Sequence, residues 1–172
     1  MEYEVIDNFL EESQFKKLQD GVLDVTFPWF VYSGVTEVNH SYDGTLTTAL
    51  DKAYHWAFFH LFYQNFQPNS PKFDDLHDFI KKLELHSILR IKANLYPRTT
   101  EVVEHNFHLD YPYPHKAALL SLNTNNGYTM LEDGEKIESV ANRVVFFDAS
   151  KQHKSTTCSD ENFRANIIIN YL

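Results

Sequence analysis

The spacing of apolar residues changes along the chain. In the first half it is mostly helical. Phe15, Leu18 and Val22 share one face of a short helix, with Gly21 its expected stop. Leu50, Ala53, Tyr54, Ala57 and Leu61 predict a second helix over about 47–63. A third is expected to begin at Ser70-Pro71, where a side-chain cap and a first-turn proline precede Asp74 and Asp75. Its Leu76, Phe79, Ile80 and Leu83 form a one-faced stripe. The opening Tyr3–Ile6 alternates like a strand. From Ser87 onward the segments are short and rich in β-branched and aromatic residues. Strands are predicted at 88–96, 117–123, 128–131, 143–147 and 164–171. Asn125-Asn126-Gly127 and Glu132-Asp133-Gly134 are the expected turns between them. Helices followed by many strands imply an α+β, mainly β architecture: a sandwich or barrel with helices packed on its outside.

Composition fits one globular domain over 1–172, with helical support to about 86 and a β core from about 87. Hydrophobic residues make up 43% and aromatics 15% of 172 residues. The net charge of −9 leaves no basic footprint, so neither nucleic acid nor an anionic membrane is an expected partner. A lone Cys158 excludes an internal disulfide and suits a reducing compartment. The acidic start MEYEVIDNF is unlike a signal peptide, and the apolar run at 57–63 is too short to span a bilayer. These features predict a soluble, cytoplasmic protein, and oligomeric state is not legible.

Candidate chemistry concentrates in Phe107-His108-Leu109-Asp110, His153 and Arg164. Residues two apart on an extended strand point the same way, so His108 and Asp110 can bind one ion, with His153 as third ligand. Two imidazoles and a carboxylate leave three coordination positions open, as non-haem iron(II) oxygenases require. His-x-Asp alone is a weak signal, for which two solvated side chains on a surface strand are the plain alternative.

The order and setting of these residues resemble the iron(II) and 2-oxoglutarate-dependent oxygenase superfamily, in its prolyl-4-hydroxylase-like and DNA-repair-like branches. The resemblance covers about 88–172 and the opening Val5-Ile6-Asp7-Asn8-Phe9-Leu10. The chain as a whole resembles the small members that some bacteriophages encode. The implied fold is a double-stranded β-helix, or jelly roll. The implied reaction uses Fe(II), 2-oxoglutarate and O2, with hydroxylation of a peptide, amino acid or small molecule as the default outcome. A filled Asp110 position speaks against halogenation. Arg164 matches the basic residue that grips the distal carboxylate of 2-oxoglutarate; a rim arginine paired with Asp160 or Glu161 is the alternative. Asn94-Leu95-Tyr96 and Arg164-Ala165-Asn166 resemble cosubstrate-binding pairs of the repair branch. Ser121 stands where prolyl hydroxylases carry a cosubstrate-binding tyrosine. Asn94, Asn166 and Ser121 could equally satisfy backbone groups inside the barrel. Pro97-Arg98-Thr99-Thr100 replaces a glycine that often follows the Tyr96 position, and a hairpin over 98–106 is expected to lead into His108.

Other histidines read as ordinary. His55 and His60 lie five apart, unlike a helical metal pair. His105 and His115 flank the triad, and Tyr111-Pro112-Tyr113-Pro114 is expected to wall the substrate entrance. Two rival functions use the same residues: a jelly-roll module without turnover, and a zinc hydrolase, which gives no reason for Arg164.

Overall fold

Where carbon-rich and polar side chains alternate, a strand can present a different environment on each face, and where they do not, a strand can be buried on both. The computed structural model describes residues 2–33 and 56–172. In chain order the elements are β1 (Tyr3–Ile6), α1 (Glu12–Leu23), β2 (Phe30–Ser33), β3 (Trp56–Gln64), β4 (Gln67–Pro68), a 3-10 turn (Phe73–Leu76) and α2 (His77–Leu83). There follow β5 (Ile88–Pro97), β6 (Lys116–Ser121), β7 (Asn125–Leu131), β8 (Lys136–Ser139), β9 (Val144–Asp148), β10 (His153–Ser155) and β11 (Phe163–Tyr171). The larger sheet runs β1-β9-β6-β11-β5-β3-β2 with β4 on β3, and the smaller runs β10-β7-β8. The two antiparallel sheets make the jelly roll, and the helices lie outside it, as the sequence predicts.

The larger sheet is buried on both sides. One face carries Ile91, Ala93, Ala118, Leu120, Ala165, Ile167 and Ile169 against Phe15, Leu18 and Val22 of α1 and Phe79 and Leu83 of α2. The opposite face turns Ala117, Leu119, Val145, Phe147 and Ile168 toward Leu131 and Ile137 of the smaller sheet. Along β5 and β11, that interior face also holds nearly every polar side chain of the two strands. The candidate site is built there.

Three local expectations need correction. Residues 56–63 of the predicted second helix lie in β3; 47–55 fall outside the described residues. Ala57 through Tyr63 is apolar on every side, a pattern that fits a buried strand as well as a helix. Its four phenylalanine or tyrosine residues favour the sheet. A register shift between Leu61 and Tyr63 further hides the alternation. Asn125-Asn126-Gly127 is not a turn but the irregular start of β7. Gly21 does not stop α1, which ends at Leu23. The third helix opens as a 3-10 turn, with Ser70 Oγ accepting from the Lys72 N–H at 3.0 Å. Gly134 (φ +87°) makes the predicted turn between β7 and β8.

Candidate functional site

β5 and β11 are antiparallel neighbours, and their register places Arg90 opposite Asn170, Lys92 opposite Ile168, Asn94 opposite Asn166 and Tyr96 opposite Arg164. Directly opposed residues share a face. A polar stripe therefore runs the length of the barrel interior, and Asn94 Nδ2 donates to Asn166 Oδ1 at 3.0 Å across it. Ser121 on β6 is opposite Asn166 and joins the same wall.

His108 reaches this stripe from an irregular segment rather than a full strand. The stretch after β5 runs antiparallel to β10, with bridges from Glu104 to Thr156 and from His108 to His153. Reciprocal N–H to carbonyl bonds of 3.0 and 3.1 Å join His108 to His153. The pairing puts the two imidazoles side by side, ring centres 4.5 Å apart. Asp110, two residues on, brings a carboxylate to the same point. One ligand atom from each of His108, Asp110 and His153 lies within 4.8 Å of the others, and His153 Nε2 is 3.8 Å from Asp110 Oδ2.

The surroundings fix the charge state of the three. Burial, helped by His153, pushes His108 down to about 4. Burial also lowers His153. For Asp110 burial acts upward, but the Arg90 guanidinium, the neighbouring histidines and the Asn170 amide hold it well below the usual carboxylate range. Arg90 donates to Oδ1 at 2.7 Å and Asn170 to Oδ2 at 2.8 Å. His153 Nδ1 donates to the Lys151 carbonyl at 3.1 Å, leaving Nε2 with its lone pair toward Asp110. Neutral imidazoles and an ionised carboxylate are the forms that bind a metal. The donor set thus fits a divalent ion such as iron(II).

Arg164 is 1% exposed. It donates to Ser139 Oγ at 2.7 Å, Thr129 Oγ1 at 2.8 Å and the Thr156 carbonyl at 3.3 Å. Among the described residues it has no carboxylate partner, which removes the rim pairing with Asp160 or Glu161. Gly127 makes room for it. A Cβ there would lie 2.7 Å from Arg164 Cδ and 2.5 Å from the Thr157 carbonyl oxygen.

A cavity of about 350 Å³ opens beside His108 and Asp110, lined by Asn94 and Tyr96, by Phe58, Phe59 and Leu61 of β3, and by Arg90 and Lys92. His153, Arg164, Asn166 and Ser121 do not line it. Arg164 sits over the Tyr96 ring, 5.5 Å from its centre, and Tyr96 is the side chain between it and the cavity. The Tyr111–Tyr113 pair, stacked at 5.2 Å, is not part of this wall. His105 and His115 hydrogen-bond locally, to Ser155 Oγ and to the Tyr113 carbonyl.

Sequence reasoning missed Arg90, Lys92 and Asn170. Their signal was present: Arg90, Lys92, Asn94 and Tyr96 alternate with Ile91, Ala93 and Leu95. Two charges on one face of an otherwise buried strand mark an interior polar site.

No family profile and no curated protein matches this sequence. Solved structures do. A prolyl hydroxylase of Trichoplax adhaerens, in complex with a hypoxia inducible factor peptide fragment, superposes with a TM-score of 0.68 at 14% identity, over 99% of this chain and 83% of that one. An oxidoreductase of the 2OG-Fe(II) oxygenase family from Burkholderia pseudomallei gives 0.62 at 12% identity, over 98% and 84%. The viral collagen prolyl hydroxylase of Paramecium Bursaria Chlorella virus-1 gives 0.57 at 12%, over 100% and 97%. This chain has the 2OG-Fe(II) oxygenase fold. At such identities the likeness concerns the fold, and the oxygenase fold here carries a His-Asp-His cluster in its barrel.

Proposed function

We propose that this chain is an iron(II)- and 2-oxoglutarate-dependent dioxygenase that hydroxylates a peptide, amino acid or small molecule, acting as one domain over 1–172. The observation that carries the reading is the meeting of His108, Asp110 and His153 within 4.8 Å, beside a cavity in an oxygenase fold. Bound iron(II), with 2-oxoglutarate and O2, supplies the oxidant for an unactivated C–H bond, a chemistry that side chains alone lack.

The residues of the chain prepare that centre. The Lys151 carbonyl fixes the His153 tautomer, and Arg90 with Asn170 orients Asp110. Arg164 offers a buried guanidinium whose charge no described carboxylate matches, and its planar fork suits the distal carboxylate of 2-oxoglutarate. For that contact the Tyr96 phenol has to turn aside or share the carboxylate. Asn94, Asn166 and Ser121 complete the polar wall, while Phe58, Phe59 and Leu61 give the cavity an apolar side. The net charge of −9 disfavours a nucleic-acid substrate. No helix among the described residues is long and apolar enough to cross a membrane.

An anaerobic titration tests the reading. Iron(II) followed by 2-oxoglutarate should give a weak visible charge-transfer band that needs both. Absence of the band in wild type, or its persistence in Asp110→Ala, would refute the assignment.

A further inference from the structure

Lys92 lines the same cavity as His108 and Asp110. It lies between Leu61 of β3 and Ile168 of β11 in the sheet register, so its immediate strand neighbours offer carbon rather than oxygen. Among the described residues its ammonium has no hydrogen bond and no ion pair. The carboxylate that could match it, Asp110, already accepts from Arg90 and Asn170. Burial, with Arg90 adding to it and Asp110 opposing, pushes Lys92 down to about 8. An ammonium held in such a place costs stability unless something pairs with it.

We propose that Lys92 anchors a carboxylate of the molecule that is oxidised, so that the substrate is a small carboxylic acid or an acidic amino-acid side chain. This rests on the oxygenase reading above and narrows its substrate class. On that reading the cosubstrate's two charges would be matched without Lys92, one carboxylate by the metal and the other by Arg164 once the Tyr96 phenol turns aside. With a divalent metal, Arg90, Arg164 and Lys92 on one side, and Asp110 and a cosubstrate dianion on the other, positive charge is left over in the cavity. A substrate carboxylate reduces it.

The form of the anion follows from the donors. Arg90's Nε and one terminal nitrogen are engaged with Asn170 and Asp110, at 3.2 and 2.7 Å. One uncommitted ammonium matches a singly charged carboxylate better than a phosphate, which attracts a free guanidinium fork. A polyanion is further disfavoured by the acidic surface of the chain. The cavity, about 350 Å³, is at the small end for ligand sites, and Phe58, Phe59 and Leu61 can cover the carbon portion of such an acid.

The test is calorimetry on the full chain loaded with manganese(II) and 2-oxoglutarate. The probes are L-aspartate, L-glutamate, N-acetyl-L-glutamate and hydrocinnamate, each against its neutral amide. At least one acid should bind about ten-fold or more tightly than its amide. Lys92→Met should abolish that preference, Lys92→Arg should keep part of it, and both should leave 2-oxoglutarate affinity within about two-fold. Ligand-free Lys92→Met should also melt higher than wild type, since carbon replaces an unmatched charge.

No preference for any acid, or a preference that survives in Lys92→Met, overturns the proposal. So does a lower melting point for that variant, which would mean that the protein itself matches the ammonium. If Lys92→Met instead weakens 2-oxoglutarate as Arg164→Ala does, Lys92 belongs to the cosubstrate: this inference falls and the oxygenase reading stands. Wild type that binds no 2-oxoglutarate sinks the oxygenase reading itself, and this one with it.

Discussion

The two faces of the β5–β11 pair are made by the same strands yet have opposite characters. Facing the helices, Ile91, Ala93, Ala165, Ile167 and Ile169 belong to the main apolar core. Facing the barrel interior, Arg90, Lys92, Asn94, Tyr96, Arg164, Asn166 and Asn170 stand in one field, on residues that alternate with the first set. A fully buried aliphatic side chain contributes about 1.5–3 kcal/mol relative to exposure. Buried polar and charged groups are at best neutral for stability unless fully paired. The helix side thus holds the fold together. The interior side adds little to stability, and it is where ligands would act. Variants on the two faces should separate stability from function.

The widest separation is expected at the metal. Asp110→Ala should abolish tight iron(II) binding and turnover while the protein still folds, because the residue faces the cavity. Anaerobic metal titration alongside circular dichroism checks this. His153→Ala should behave in the same way and His105→Ala should not. On the other face, Ile167→Ala should cost about 2–5 kcal/mol of stability in urea unfolding and leave iron affinity unchanged in the folded fraction. If Ile167→Ala instead lost metal at constant stability, the division between the faces would be wrong.

Arg164 tests the interior face more finely. Removing one partner of a buried charge pair typically costs about 2–5 kcal/mol. At about 1.4 kcal/mol per ten-fold, Arg164→Ala should weaken 2-oxoglutarate by about thirty-fold or more, with iron still bound. Arg164→Lys should recover part of the loss, since it restores the charge but not the planar fork. Unchanged 2-oxoglutarate affinity in the alanine variant would leave Arg164 as a structural group for Ser139, Thr129 and Thr156.

How much of this could be read from the sequence varied with how local the cause was. Five of the strands after Ser87 and the stripe of α2 were legible, because alternation and helical spacing are properties of short segments, whereas β8 and β10, of four and three residues, were too short to show a period. Residues 56–63 were not legible either, because β3 is apolar on both faces and its register shift erases the period of two. Asn125-Asn126-Gly127 looked like a turn for a sound local reason. Yet Gly127 is needed where β7 passes close to Arg164, a contact 37 residues away in the chain that no local pattern announces. The grouping of His108, Asp110 and His153 was expected from their order and residue types, but the bridge that aligns the two histidines is a tertiary fact. Lys92 went unnoticed because a lysine in a strand usually reads as solvated, although its alternation with Ile91, Ala93 and Leu95 marked a polar face; the β11 register shows that this face is the interior one.

The smallest predicted effect concerns a titratable group on the helix side. His60 of β3 is buried against Phe27 and Phe62, each ring centre 4.6 Å away. Its Nδ1 donates to the Pro28 carbonyl at 2.8 Å and its Nε2 accepts from Ser70 Oγ at 2.8 Å, tying β3 to the segments before β2 and α2. Burial lowers its pKa from the ordinary value, with the Pro28 carbonyl opposing. The folded protein therefore holds this proton less well than the unfolded chain, whose histidine titrates near 6.5. Its contribution to stability is fully present above about pH 6.5 and is lost as pH falls through the folded pKa. His60→Gln keeps a donor and an acceptor but cannot be charged. Between pH 7.5 and 5.5 the urea midpoint of wild type should fall more than that of His60→Gln, by less than the loss in Ile167→Ala. Titration of the candidate-site histidines is common to both proteins and cancels in the difference. An equal fall in the two would mean that His60 is protonated at no cost, and that the helix side tolerates charge as the interior does.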